Sequence, residues 1–169
     1  MRGLGPLFAA LLLLTGCGYH LPGRGGNLPS EVQSLYIELF NNRTAEPFLE
    51  NSITDSMIAR FARNRPLRMV EKRDIADAVL SGVVTAYSTS PISYDRNDVI
   101  TEFRSTMTIA VTLRQAADDR ILWKGSIDWS EEYPANLDKG IQEDNEAAAI
   151  AVIVDHLAQE LYFRIMENF

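Results

Sequence analysis

Alternation between apolar and polar residues predicts the longest strands of this chain. Two neighbouring segments carry apolar side chains at alternate positions with polar side chains between them: Phe103, Met107, Ile109, Val111 and Leu113 in the first, and Ile121, Trp123, Ile127 and Trp129 in the second. A period of two is typical of strands with one buried face. Ala116-Ala117-Asp118-Asp119 separates the segments and predicts a turn, so they form a long antiparallel hairpin.

A repeat of three to four residues predicts two amphipathic helices. The first runs to about Arg63, with Thr44 as its N-cap, and Asn64-Arg65-Pro66 ends it. Asp144 or Asn145 is predicted to cap the second helix, after a loop from Tyr133 to Ile141. The apolar stripes comprise Leu49, Ile53, Met57 and Phe61 in the first helix, and Ala147, Ile150, Ala151, Val154, Leu157, Leu161 and Ile165 in the second.

Three shorter strands are predicted over residues 34–40, 67–71 and 78–89, with a turn at 41–44 and a loop at 90–98. Gly82 indicates a bulge or a close backbone approach in the third of these strands. Because a helix separates the first two strands, they are expected to be parallel.

The predicted order is therefore β-α-β-β-β-β-α. This order predicts an α/β (α+β) two-layer sandwich, in which a mixed, mostly antiparallel sheet carries both amphipathic helices on one face.

The N-terminal segment predicts a lipid anchor. The apolar run from Leu4 to Leu14 has the length of a signal-peptide core and is too short to span a bilayer. Leu14-Thr15-Gly16-Cys17 has the pattern of a bacterial lipoprotein signal, and Cys17 is the only cysteine. We expect a signal peptide at 1–16, acylated Cys17 with a flexible Gly- and Pro-rich tether at 17–32, and one domain at 33–169. Gly18, the residue after the acylated cysteine, favours sorting of the lipoprotein to the outer membrane. The alternative to a lipid anchor is an ordinary secretory signal in which the cysteine occurs by chance.

The charge of the chain limits its partners. It carries 16 basic and 23 acidic side chains, a net charge of −7, and loss of Arg2 with the signal peptide makes it more negative. Nucleic-acid binding requires a basic surface, so this class of partner is not expected. An anionic ligand would need a local basic patch.

No catalytic motif stands out. The chain has no phosphate-binding loop, dinucleotide fingerprint or nucleophile elbow. The lipid occupies Cys17, His20 lies in the tether and His156 in the last helix, so the histidines lack the spacing of metal ligands. We expect no enzyme activity, no metal and no cofactor beyond the covalent lipid. An enzyme using scattered carboxylates is the remaining catalytic alternative.

Several short segments, in order, make the whole mature chain similar to the lipopolysaccharide-assembly lipoprotein family (LptE). They are Cys17-Gly18-Tyr19-His20-Leu21, Ile37-Glu38-Leu39-Phe40-Asn41-Asn42 before a capped helix, Arg96-Asn97 leading to Glu102-Phe103, and Asp144-Asn145-Glu146. The resemblance implies a lipid-anchored protein of the outer membrane, on its periplasmic side, that plugs the lumen of the lipopolysaccharide translocon β-barrel (LptD), helps to assemble it and contacts lipopolysaccharide during delivery to the outer leaflet.

The resemblance also implies basic residues at the tip loop and just before the last helix. Arg96 occupies the first place. Glu143 stands at the second, where the nearest base is Lys139. Arg96 and Lys139 are therefore the candidate lipopolysaccharide-binding residues. The alternative function is a periplasm-facing lipoprotein subunit of another envelope or secretion complex.

Overall fold

The computed structural model describes Pro29, residues 31–64 and residues 67–167. The predicted signal peptide, Cys17 and the tether up to residue 28 lie outside these residues. The elements, in chain order, are β1 Ser34–Ile37, β2 Asn41–Asn42, α1 Leu49–Asn64, β3 Arg68–Met69, β4 Ala78–Tyr94, β5 Ile100–Gln115, β6 Ile121–Pro134 and α2 Lys139–Glu167.

The strands form one mixed sheet in the order β3-β1-β4-β5-β6, with β2 also beside β4. β1 is parallel to β3 and to β4, whereas β4, β5 and β6 are antiparallel neighbours. The pairing of Ser34 with Arg68 confirms that the first two predicted strands are parallel. The predicted α+β class and element order are confirmed, with the two-residue β2 added.

Both helices cover the same face of the sheet, and the core lies between the layers. The alternating residues of β5, from Met107 to Leu113, are buried together with the apolar stripe of α1 and most of the predicted stripe of α2. The intervening residues of β5, among them Thr106, Thr108 and Thr112, lie on the uncovered face and are only partly buried. The predicted period of two therefore separates the core face from the solvent face.

Two predictions about the approach to α1 are wrong. Asn41 and Asn42 form β2 instead of a turn, because β4 is longer than β1 and offers its backbone at Val83 and Val84. Thr44 does not cap the helix, which begins at Leu49. The Thr44 hydroxyl instead hydrogen-bonds to Asn42 Oδ1 (2.8 Å), within the bend that precedes the helix.

The loop predicted at 90–98 is mostly strand. β4 continues to Tyr94, which pairs with Ile100, so the loop is reduced to residues 95–99. Among the described residues, β4 beyond Val84 pairs with β5 alone, so Pro91 lies on a free edge where its missing N–H removes no ladder hydrogen bond. The pairing of β4 with β5 shifts its register on both sides of Ser93, so the strand continues past Pro91 to Tyr94.

The predicted boundary between β6 and α2 is also wrong. β6 continues to Pro134 and α2 begins at Lys139, five residues before the predicted cap. Asp138 is the cap, since its Oδ1 accepts the N–H groups of Gly140 (2.9 Å) and Ile141 (3.2 Å). The predicted apolar stripe is confirmed in the second half of α2, where Val154, Leu157, Leu161 and Ile165 are buried together with Ala149, Ile153 and Ala158. Ala147 and Ala151, which the prediction also included, are exposed.

Candidate functional site

The antiparallel strands β4, β5 and β6 extend beyond β1 and β2 and bring two loops together at one end of the sheet. The pairing of β4 with β5 ends at Tyr94 and Ile100, and the pairing of β5 with β6 ends at Glu102 and Pro134. We call this end the tip; it comprises the loop 95–99 and the segment 135–141. The N–H of Ala135 donates to the carbonyl of Thr101 (2.9 Å), which joins the two parts of the tip.

The loop 95–99 is held by the carboxylate of Asp95. Its Oδ1 accepts the backbone N–H groups of Asn97 (2.7 Å) and Val99 (3.0 Å), and the backbone N–H of Asp95 donates to the carbonyl of Val99 (2.8 Å). The two backbone N–H groups that donate to the carboxylate, first that of Val99 and then that of Asn97, lower the pKa of Asp95 because they stabilise its charged form. Asp98 closes the turn in the left-handed region at φ 60°. The loop is therefore ordered by its own sequence.

Arg96 lies at the apex of this loop. Its side chain is exposed, and it forms no ion pair with the carboxylates of the residues that the structure describes. The ordered turn on both sides fixes the backbone of Arg96 at the outermost point of the sheet. The guanidinium is thus available to an external anion.

Lys139, the second predicted ligand residue, is the first residue of α2. It is 91% exposed at the side chain, and its Nζ lies 3.9 Å from Glu143 Oε1. Asn136 and Asp138 order the segment before it, since the N–H of Asp138 donates to Asn136 Oδ1 (2.9 Å). The structure therefore brings Lys139 and Arg96 to the same end of the sheet, Arg96 on the loop 95–99 and Lys139 at the start of α2.

The tip combines these cations with exposed apolar side chains. Leu137 is 96% exposed, and Tyr94, Val99 and Ile141 are each about half exposed. Carboxylates surround them as well: Asp98, Glu102, Glu143 and Asp144 are exposed here. Such a surface suits a ligand or partner that presents both apolar and charged groups. Among the described residues of the tip, no nucleophilic side chain is paired with a general base.

A polar cluster that the sequence analysis did not identify fastens α2 to the sheet behind the tip. Glu146 Oε1 accepts the hydroxyls of Tyr87 (2.7 Å) and Thr89 (3.0 Å), and Ser105, which is fully buried, lies within 3.0 Å of both hydroxyls. Burial raises the pKa of the Tyr87 hydroxyl. Burial and then the nearby charge of Glu146 raise the pKa of Glu46. The one signal of this cluster in the sequence is Ser105, which stands between Phe103 and Met107 where the alternation of β5 calls for an apolar residue.

An open groove lies at the other end of the sheet and includes Asp77, Asp74 and Glu31. Asp77 Oδ2 accepts the hydroxyl of Ser34 (2.7 Å) and the backbone N–H groups of Ser34 (2.9 Å) and Gln33 (3.1 Å). The Ser34 hydroxyl is the main cause of the lowered pKa of Asp77. This carboxylate therefore connects β1 to the start of β4 and is not poised as an acid.

The histidine and tryptophans in the described part of the chain have packing contacts. The rings of Trp129 and His156 stack with centroids 4.3 Å apart, at the edge between β6 and α2. Trp123 packs against the core cluster. Within residues 31–64 and 67–167, no group of three or more His, Cys, Asp or Glu side chains could hold a metal ion. None of the helices described is long and apolar enough to cross a membrane.

Comparison with solved structures shows the same fold in several bacterial lipoproteins. Uncharacterized lipoprotein B from Nitrosomonas europaea is 15% identical, with a TM-score of 0.60 over 88% of this chain and 90% of that chain. Rare lipoprotein B from Shewanella oneidensis is 10% identical, with a TM-score of 0.59 over 80% and 96%. A putative lipoprotein from Caulobacter crescentus is 13% identical, with a TM-score of 0.56 over 75% and 87%. No curated protein matches the chain.

A family model covers nearly the whole described domain. The model of LptE, described as lipopolysaccharide-assembly, matches residues 32–165. The match begins at Val32, which is buried in the core, and ends at Ile165, the last buried residue of α2. It therefore includes every strand, all of α1, all but the last two residues of α2 and the whole tip, and the chain belongs to the LptE lipopolysaccharide-assembly family.

Proposed function

We propose that this chain is a non-enzymatic lipoprotein of the outer membrane that plugs the lipopolysaccharide translocon β-barrel, LptD, and helps to assemble it. The match of the LptE family model to residues 32–165 carries this proposal. Anchoring rests on Cys17, which lies outside the described residues and would carry the covalent lipid. Stable anchoring takes more than one acyl chain.

The surface of the domain is compatible with a barrel lumen. The uncovered face of the sheet is rich in small polar side chains, such as Thr106, Thr108, Ser126 and Ser130, interspersed with charges of both signs. The lumen of an outer-membrane barrel is polar, so a plug needs a polar exterior. A lipid on a flexible tether would also keep the domain at high effective concentration beside the barrel.

The tip is the proposed contact for lipopolysaccharide. Arg96 and Lys139 would bind its anionic groups, and the exposed side chains of Leu137 and Ile141 would contact its acyl chains. The surrounding carboxylates lower the affinity for a phosphorylated ligand. The protein would therefore recognise lipopolysaccharide through local contacts at the tip. The net charge of the protein is negative and would repel an anionic ligand at long range.

Replacement of the acylated cysteine tests the anchored plug. We expect the Cys17→Ala variant to leave the outer-membrane fraction and to reduce the lipopolysaccharide displayed on the cell surface. A matched variant, Ser30→Ala, alters the tether without touching the lipidation site and should behave as the native chain. Normal fractionation and display in Cys17→Ala would contradict the proposal.

A further inference from the structure

Strand β6 offers a regular free edge. Among the described residues its one neighbouring strand is β5. The register with β5 is unbroken from Trp123 to Trp129, and the single shift lies between Leu113 and Arg114, before this stretch. The free part of β4 carries Pro91 and three register shifts, and β3 has two residues, so the other edges of the sheet are blunted.

The residues from Trp123 to Trp129 place a tryptophan at each end of the stretch, and the opposite charges of Lys124 and Asp128 at equal distances from Ser126. The sequence is Trp-Lys-Gly-Ser-Ile-Asp-Trp. The odd positions lie on the helix-covered face and the even positions on the open face, as their pairing with β5 shows. We infer that this edge pairs with β6 of a second copy of the chain, antiparallel and about a two-fold axis at Ser126.

Charge complementarity selects this register. With Ser126 on the axis, Lys124 lies opposite Asp128 of the second copy, twice by symmetry, and Trp123 lies opposite the other Trp129. Opposite charges and aromatic pairs stabilise such cross-strand positions. An axis at Gly125 or Ile127 puts Lys124 opposite a serine, and an axis at Asp128 puts that carboxylate opposite itself. Only the axis at Ser126 pairs the charges without like-charge contacts.

Helix α2 provides a second surface for the same partner. Val152, His156 and Phe163 are spaced at i, i+4 and i+11, which places them on one side of the helix. His156 stacks on Trp129, so this side faces the free edge of β6. Val152 is 39% exposed and Phe163 is 45% exposed. In the symmetric pair both α2 helices lie on the same side of the extended sheet, one on each side of the axis. The exposed side chains of Val152 and Phe163 of one copy then become buried against those of the other copy.

The inference concerns the chain when it is free of any barrel, and it is independent of the proposed plug. A self-paired edge would protect β6 from aggregation before a partner is engaged.

Disulfide trapping of the full lipidated chain in detergent tests the pairing. Acylation uses Cys17, so Ser126→Cys supplies the single free thiol, which the axis places beside its own copy. Ser130→Cys is the matched control, because it lies on the same strand and face but pairs with Leu122 of the second copy. We expect mild oxidation to give at least fivefold more dimer from Ser126→Cys than from Ser130→Cys. Equal yields, or no dimer from either, would overturn the inference.

Charge reversal provides a second test of the β6 pairing, and it needs no cysteine near the axis. In sedimentation velocity of the otherwise native chain, Lys124→Asp should shift the dimer towards monomer, and Lys124→Asp with Asp128→Lys should restore it. Lys72→Asp makes the same charge change near the opposite edge and should have no effect. A native chain that stays monomeric at high micromolar concentration, or failure of the double variant to restore the dimer, would also overturn the inference.

Discussion

The ring of Phe40 packs directly against the backbone of Gly82, so that any side chain at position 82 would overlap the ring. Phe40 lies between β1 and β2 and is buried, and Gly82 lies in β4. This contact explains the glycine in a strand interior, where it otherwise weakens a sheet. Of the two alternatives predicted for Gly82, a bulge or a close approach to its backbone, the structure shows the close approach, since Gly82 pairs regularly with Val111.

Gly82→Ala is expected to lower the free energy of unfolding by about 1–3 kcal/mol, because the methyl group must displace the buried Phe40 ring. Denaturant unfolding followed by circular dichroism measures the loss. Ser81→Ala, the neighbouring change on the open face, should stay within about 0.5 kcal/mol of the native chain. Equal stabilities of the two variants would show that the ring can move freely.

The capping residue of α2 can be tested against the cap that the sequence predicts. Asp138→Ala should destabilise the domain by about 1 kcal/mol, because the N–H groups of Gly140 and Ile141 lose their acceptor. Asp144→Ala removes an exposed carboxylate within the helix and should change the stability by less than about 0.5 kcal/mol. Urea unfolding of both variants gives the comparison. A larger loss in Asp144→Ala would mean that the helix begins near that residue.

Asp77 gives the stability a defined pH dependence. Its pKa is lowered in the folded state, so its contribution is fully present above the unfolded pKa of about 3.9 and is lost as the pH falls through the folded pKa. Asp77→Asn should therefore be less stable than the native chain at neutral pH, and the difference should shrink below about pH 4.

The cause of this dependence can be isolated with Ser34→Ala. The Ser34 hydroxyl is the largest cause of the lowered pKa of Asp77, so its removal should weaken the pH dependence while leaving the two backbone hydrogen bonds in place. Unfolding free energies measured across the acid range would test this. A constant difference between native and Asp77→Asn at all pH values would contradict the assignment.

The pattern of apolar residues predicted the layers of the fold better than the ends of its elements. The alternation from Phe103 to Leu113 gave β5 and its buried face, since burial itself creates that period. The extension of β4 through Pro91 to Tyr94 was missed, because a free edge tolerates residues that local propensity excludes. Four Asx residues, Asn136, Asp138, Asp144 and Asn145, lie near the start of α2, and only the tertiary path of the chain decides that Asp138 caps it.

The resemblance to LptE implied Arg96, and Lys139 is the nearest base to the second implied position, which Glu143 occupies. The structure places Arg96 and Lys139 at the tip, and their binding of lipopolysaccharide stays a prediction. The cluster of Tyr87, Ser105 and Glu146 was missed, because its members are far apart in the sequence and meet only when α2 packs on the sheet. Long-range polar contacts of this kind leave no periodic signal.

Arg96→Glu should weaken the binding of purified lipopolysaccharide by about tenfold, because one charge-assisted hydrogen bond is replaced by repulsion. Arg114→Glu makes the same change at the far end of β5 and should bind normally. Fluorescence titration measures both affinities, and circular dichroism checks the folding. Unchanged binding by Arg96→Glu would remove this residue from the account.

The proposed function requires that the chain occupies the lumen of a translocon barrel. The most direct measurement is co-purification from detergent-solubilised outer membranes through a C-terminal tag, with Cys17→Ala as the control. If the chain is the plug, one heat-modifiable β-barrel protein should elute in equimolar amount with the native chain. Elution of the native chain alone, as a self-made ring or with another envelope complex would contradict it.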